Sequence, residues 1–175
     1  GLGLKIHADE FVSLGGARLA AELEVVSADH LVMTSPDDLR ALARAGVIGV
    51  LLPGTTFGLG SNHYANAPAM VAAGLALALG SDLNPGTCYC ESMPFIIALA
   101  CRYLRMTPAQ AICAATFNAA YATGVGHLVG SLQEGKLADI LILDMPDHRH
   151  LAYRFGGNPV ARVIKFGREV NHGIA

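Results

Sequence analysis

Apolar and polar positions follow two alternating rhythms over roughly the first half of the chain. LKIHAD (4–9) reads as a strand. GGARLAAELE (15–24) carries Leu19, Ala20 and Leu23 at helical spacing. SADHLV (27–32) reads as a short strand. SPDDLRALARAG (35–46) predicts a helix with both ends marked: Ser35 can cap it, Pro36 fits its first turn, Asp37 and Asp38 suit its positive end, and Gly46 stops it. VIGVLLPG (47–54) is a continuous apolar strand ended by Pro-Gly, APAMVAAG (67–74) is helical, and LALALGSD (75–82) is again a buried strand. Strand and helix thus alternate three times before a fourth strand. Units of this size predict a parallel sheet with right-handed crossovers, and strands apolar on both sides suit a sheet covered by helices.

The second half changes character. CESMPFIIALACRYLR (90–105) and TPAQAICAATFNAAYATG (107–124) predict two packed helices, the second started by Thr107-Pro108 and closed by Gly124. GSLQEGKLADILILDM (130–145) and the strand pair in NPVARVIKFGREV (158–170) predict a small β module appended to the α/β part.

Composition narrows the class. The 175 residues are 53% hydrophobic and only 15% charged, an interior-rich balance that suits an α/β enzyme and argues against disorder. The formal net charge is −2 and no Lys/Arg run occurs, so nucleic acid is not an expected partner. The longest apolar stretch, AMVAAGLALALG, falls short of the roughly 20 residues of a membrane span, so no membrane partner is expected either. The chain opens with Gly1 directly into a strand-like segment, which suggests a fragment. Cys88, Cys90, Cys101 and Cys113 lack the two-residue spacer of a zinc knuckle and read as reduced thiols of a cytoplasmic protein.

Candidate chemistry gathers where the strands end. The first ends in His7, Asp9 and Glu10, the second in Asp29 and His30, the fourth in Asp82. In a parallel α/β array the carboxyl ends of all strands lie on one face, so residues distant in sequence converge there. Imidazoles and carboxylates at such ends suit metal-assisted hydrolysis. Each also has a plainer reading: His7 as a hydrogen-bonded loop residue, Asp29 as a tether, Asp82 as the opening of an Asx-type turn. Asn84-Pro85-Gly86-Thr87 after Asp82 can cradle an anion or amide, or can be an ordinary turn. His63 lies where it could border the same mouth. His148 and His150 have metal-pair spacing but sit in the β module with no carboxylate partner nearby in sequence.

KIHADEF, SADHL, VLLPG, SDLNPGT, TPAQAI, NAAYATG, GSLQEGKLADILILD and GGNP together resemble the C-terminal half of the imidazolonepropionases, members of the metal-dependent amidohydrolase superfamily. EGKLADILILD is generic to the superfamily; HADEF, SDLNPGT and GGNP point to the narrower branch. The resemblance implies the C-terminal half of a (β/α)8 barrel, with the four strands here as barrel strands five to eight, over residues 1–126. Residues 127–175 would supply C-terminal strands of a small β-sandwich. It implies His7 and Asp82 as ligands of one Zn or Fe ion, with Asp82 also able to take a proton from the attacking water. Glu10 would contact substrate and shuttle protons, and His30 would polarise the ring carbonyl. Asn84, Gly86 and Thr87 would bind the substrate or its ring-opened product. The implied reaction is hydrolysis of 4-imidazolone-5-propanoate to N-formimidoyl-L-glutamate in histidine breakdown. A homodimer is the expected assembly.

The sequence departs from that pattern too. The family's first barrel strand carries a His-x-His pair of metal ligands, and no such pair occurs here at a strand end. The residues with which the family's first half grips the propanoate are also absent. Two ligands fall short of the three that catalytic zinc takes, so the isolated chain is expected to be weakly active or inactive. Another cyclic amidohydrolase or deaminase of the superfamily, and a non-catalytic half-barrel that self-associates, remain open. A nucleotide-binding domain would need a G-x-G-x-x-G loop that SLGGARLA lacks.

Overall fold

The computed structural model describes residues 2–170. Four parallel strands stand in sequence order: β1 (Lys5–Ala8), β2 (Ser27–His30), β3 (Ile48–Leu51) and β4 (Leu77–Leu79). Helices α1 (Gly16–Glu22) and α2 (Pro36–Arg44) make the first two crossovers; α3 (Pro53–Gly58) and α4 (Ala67–Ala72) share the third. The apolar positions read as strand and helix faces meet in one core, where Ala17 and Ala20 of α1, Leu42 of α2 and Met70 of α4 are almost wholly buried. Four strands in chain order leave all carboxyl ends on one edge of the sheet, so the ends of β1, β2 and β4 face the same space.

The local signals for α2 act as expected. Ser35 Oγ accepts a hydrogen bond from Asp38 N at 3.2 Å, Pro36 opens the helix, and Arg44 lies in its last turn. The stretch expected as a strand over 47–54 behaves differently. The strand stops at Leu51, and Pro53-Gly54 begins α3 instead of ending the element. Proline is tolerated in the first turn of a helix, where its missing N–H would have no partner anyway.

The helix expected over 90–105 begins at Met93 as α5 (Met93–Tyr103), capped by Ser92 Oγ, which accepts from Phe95 N at 3.3 Å. The helix expected over 107–124 is interrupted. α6 (Pro108–Cys113), opened by a reciprocal Thr107–Gln110 capping box, passes through a π-helical turn at Ala114–Asn118 into α7 (Ala119–Ala122). Within that turn Asn118 Nδ2 donates to Leu77 O of β4 at 2.7 Å, tying the helix to the sheet.

β5 (Ile140–Leu143), β6 (Val160–Lys165) and β7 (Arg168–Val170) form a separate antiparallel sheet in chain order. A short helix not expected from the sequence, α8 (His150–Tyr153), joins β5 to β6 and packs on α5. There the Arg102 guanidinium donates to Ala152 O and lies 4.6 Å from the Phe155 ring centroid. Among the described residues no helix is long and apolar enough to cross a membrane.

Candidate active site

Strained backbone marks the carboxyl edge of the parallel sheet. Of the seven non-glycine residues with positive φ among the described residues, four lie at or just beyond the carboxyl ends of the parallel strands: Asp9 (51°), His30 (74°), Leu31 (54°) and Asp82 (52°). Each such residue costs about 1–3 kcal/mol and persists only where its surroundings hold it. The holding contacts are present. Asp9 O accepts from Met33 N at 2.8 Å, Asp9 Oδ2 accepts from Thr34 Oγ1 at 3.1 Å, and Leu31 N donates to Ala8 O at 3.1 Å.

The strain has a chemical result at His30. His7 pairs in register with Asp29, and Ala8 with His30. Regular alternation would place the His7 and His30 side chains on opposite faces of the sheet. The left-handed turn at His30 removes it from that alternation. Its Nε2 lies 2.9 Å from His7 Nδ1, and its Nδ1 lies 3.6 Å from Glu10 Oε1. Burial pushes the His30 imidazole below its ordinary pKa, against the opposing pull of Glu10 and Asp82. Burial thus disfavours the charged form of His30, which lies between a second imidazole and a carboxylate with the Asp82 charge close enough to act on it.

Asp29 is tethered beneath this group. Ser27 Oγ donates to Asp29 Oδ1 at 2.9 Å and receives a 2.6 Å hydrogen bond from Lys5 Nζ, which stands 4.0 Å from Asp29 Oδ1. Beyond β4, Thr55 Oγ1 donates to Asp82 Oδ2. Asn84 closes the following turn on itself. Its Nδ2 donates to Asp82 O at 2.8 Å and to Thr87 Oγ1 at 3.0 Å, while its Oδ1 accepts from Gly86 N and Thr87 N at 2.9 and 2.8 Å. The carboxamide expected to grip a ligand is thus committed within its own loop, which presents Asp82 at one end and an exposed Gly86 at the other.

A cleft of about 240 Å³ opens beside His30, lined by Glu10, Phe11, Met33, Thr55 and His63 among others. His63 borders the mouth, as its position after β3 suggested. Thr55, Phe11 and Met33 were not singled out in the sequence. Thr55 was hidden because Pro53-Gly54 reads as the end of a strand, and the other two because isolated apolar residues carry no chemical signal. His172 lies outside the described residues.

The donor set fits a divalent metal in kind. Imidazole nitrogen and carboxylate oxygen are both zinc donors. His7 Nε2 and Asp82 Oδ1 have no hydrogen-bond partner among the described residues, so each has an atom free to bind. Among the described residues no three His, Cys, Asp or Glu side chains are grouped to hold one ion.

The chain is 54% identical over 170 residues to the imidazolonepropionase of Herpetosiphon aurantiacus, and 52% identical over 168 residues to that of Symbiobacterium thermophilum. These alignments take in 97% and 96% of this chain but 40% of each relative, so the chain spans about two-fifths of their length. An adenosine deaminase from Xanthomonas campestris, solved with bound zinc, superposes with a TM-score of 0.78 at 20% identity, over 96% of this chain and 45% of that one. At that identity the likeness concerns the fold. The Amidohydrolase family model matches residues 6–171, from β1 through the antiparallel sheet. The left-handed strand ends and the free His7 and Asp82 donors therefore sit in a chain that belongs to the amidohydrolase family.

Proposed function

We propose that this chain supplies the C-terminal part of an imidazolonepropionase, which opens the ring of 4-imidazolone-5-propanoate by hydrolysis to N-formimidoyl-L-glutamate. The observation that carries the reading is His30 held between His7 and Glu10 at the mouth of the cleft, in a chain about half identical to imidazolonepropionases. In this reading β1–β4 are strands five to eight of a (β/α)8 barrel, residues 1–126 are its second half, and β5–β7 belong to a β-sandwich module over 127–175. Both edge strands of an open four-stranded sheet have unpaired hydrogen-bonding groups, which the barrel's first half would cover.

His7 Nε2 and Asp82 Oδ1 would hold one metal ion, zinc or iron, alongside ligands from the preceding part of the protein. When bound, the ion supplies Lewis acidity and lowers the pKa of water to about 7. The protein's own groups arrange the rest. If His7 uses Nε2 for the metal, its Nδ1 carries the proton and donates to His30 Nε2, which leaves the His30 proton on Nδ1. That Nδ1–H stands too far from Glu10 for a hydrogen bond, so it is free to donate to the ring carbonyl oxygen and stabilise it as charge develops. Water adds to the carbonyl carbon, and its proton passes to Asp82 or Glu10. The ring C–N bond breaks as that proton reaches the leaving nitrogen. Asn84, Gly86 and Thr87 would border the product's side of the site.

The test is metal content and 4-imidazolone-5-propanoate turnover of the full-length protein carrying this chain. Zinc or iron near one equivalent with measurable ring opening is expected, and His7→Ala should abolish both. A metal-loaded protein that instead deaminates a nucleobase would replace this reading with the deaminase alternative. A metal-free, inactive, tightly dimeric protein would replace it with the non-catalytic one.

A further inference from the structure

A further helix that the sequence pattern did not announce, α3, packs against the Asp82 loop. α3 carries Gly54 and Gly58 one turn apart, on the side that meets residues 81–88. A Cβ on Gly58 would come within 2.2 Å of Thr87 O. A Cβ on Gly54 would come within 2.8 Å of Cys88 Sγ and 2.7 Å of Ile96 Cδ1. Both are distances that real Cβ atoms do not adopt, so the loop rests on the helix backbone because those two positions have no side chain. Cys88 Sγ donates to Ser81 O at 3.1 Å and Asn84 N donates to Cys88 O at 2.9 Å, which closes the loop from its other side.

Thr55 follows Gly54 on this helix and is only 2% exposed. A threonine inside a helix can return its hydroxyl to the carbonyl four residues back. Thr116 and Thr123 do so, to Ile112 O and Ala119 O. Thr55 stands in the first turn of α3, so the residue four back, Leu51, belongs to β3 and its carbonyl accepts from Gly80 N in the sheet rather than facing the helix. The Thr55 hydroxyl turns instead to Asp82 Oδ2. The same carboxylate keeps Oδ1 free of hydrogen bonds to the described residues. One oxygen is held by the protein and the other is left for a ligand.

We propose that Thr55 is a positioning residue for Asp82. Its hydroxyl, seated by the close packing of α3 against the loop, selects the oxygen that Asp82 presents to the metal and holds the carboxylate in that orientation. The inference rests on the functional reading above. Outer hydrogen-bond partners of metal ligands typically alter metal affinity by about 10–100-fold when removed.

The experiment measures zinc affinity, by competition with a chelator, in the full-length protein and in its Thr55→Val and Thr55→Ser variants. Melting of each metal-free protein reports folding. Thr55→Val keeps the shape and removes the donor; it should bind zinc about 10–100-fold more weakly while its metal-free melting stays near wild type. Thr55→Ser restores the hydroxyl and should recover most of the affinity. Should Thr55→Val not fold, Thr55→Ala, which cannot overpack the site, is measured the same way. Wild-type affinity without the hydroxyl overturns the inference. So does a Thr55→Ser variant as weak as Thr55→Val, because packing rather than the hydrogen bond would then be responsible. A wild-type protein that takes up no metal overturns the functional reading itself, and this inference with it.

Discussion

In the parallel unit Ser27, Asp29, His30 and Thr55 are buried, and each has a side-chain partner: His30 with His7, Ser27 with Lys5 and Asp29, and Thr55 of α3 with Asp82. In the antiparallel sheet the charged side chains pair in the open. Arg162 of β6 grips Glu169 of β7 through two 2.7 Å hydrogen bonds, and Lys165 pairs with Asp139 just before β5. The same residue chemistry thus has two different physical settings. A buried polar group must be satisfied by the fold and is costly to orphan. An exposed pair competes with water and salt on nearly equal terms. The parallel unit is accordingly where polar chemistry can be held against solvent, and where the strained Asp9, His30, Leu31 and Asp82 and the cleft lie.

The largest expected effect separates the two regions at their cores. Ile96 on α5 has no solvent exposure and packs against Gly54 of α3. Ile96→Ala should cost about 2–5 kcal/mol in urea unfolding and loosen the bed of the Asp82 loop. A loss below 1 kcal/mol would mean that α3 and its loop hold together without the core. At the next level down, Ser35→Ala removes the cap of α2 and should cost about 0.5–2 kcal/mol, leaving the antiparallel sheet unchanged in amide exchange.

The smallest expected effects belong to the exposed pairs. Arg162→Ala should leave the urea midpoint within error. A midpoint shift as large as that of Ile96→Ala would erase the distinction between the sheets. The pH dependence is a finer measure. Hydrogen bonds from Lys165 and Phe166 N hold the Asp139 carboxyl below its ordinary value of 3.8. A depressed carboxyl adds stability above the unfolded pKa and loses it as pH falls through the lower folded value. The protection of the Phe166 amide, its exchange relative to an unfolded chain at the same pH, should therefore hold at neutral pH and fall only below about pH 4, and Asp139→Asn should flatten that response. Protection lost between pH 5 and 7 would point to another group.

Much of the fold was legible because its signals are local. Ser35, Pro36 and Gly46 bounded α2 within a few residues, and the alternation of strand and helix predicted the parallel order of β1–β4. The candidate site was legible in part. His7, Glu10, His30 and Asp82 stood out as polar residues at the ends of apolar runs, and the structure brings His7 and Glu10 to either side of His30. What stayed hidden was carried by distance in the chain. Thr55 reaches Asp82 across 27 positions and Asn118 reaches Leu77 O across 41, and neither contact leaves a mark in the residues beside it.

The sequence by itself determined most of the strands and helices of the parallel unit, and which end of its strands bears the chemistry, because apolar period, caps and turn residues act over a few neighbouring positions. Only the tertiary structure decided that Pro53-Gly54 would begin a helix rather than end a strand, that His30 would leave its strand's alternation to meet His7, and that one oxygen of Asp82 would be held while the other stayed free. Those outcomes depend on what packs against each residue: two glycines let a loop sit on a helix backbone, and neighbouring contacts hold residues in conformations that isolated chains avoid.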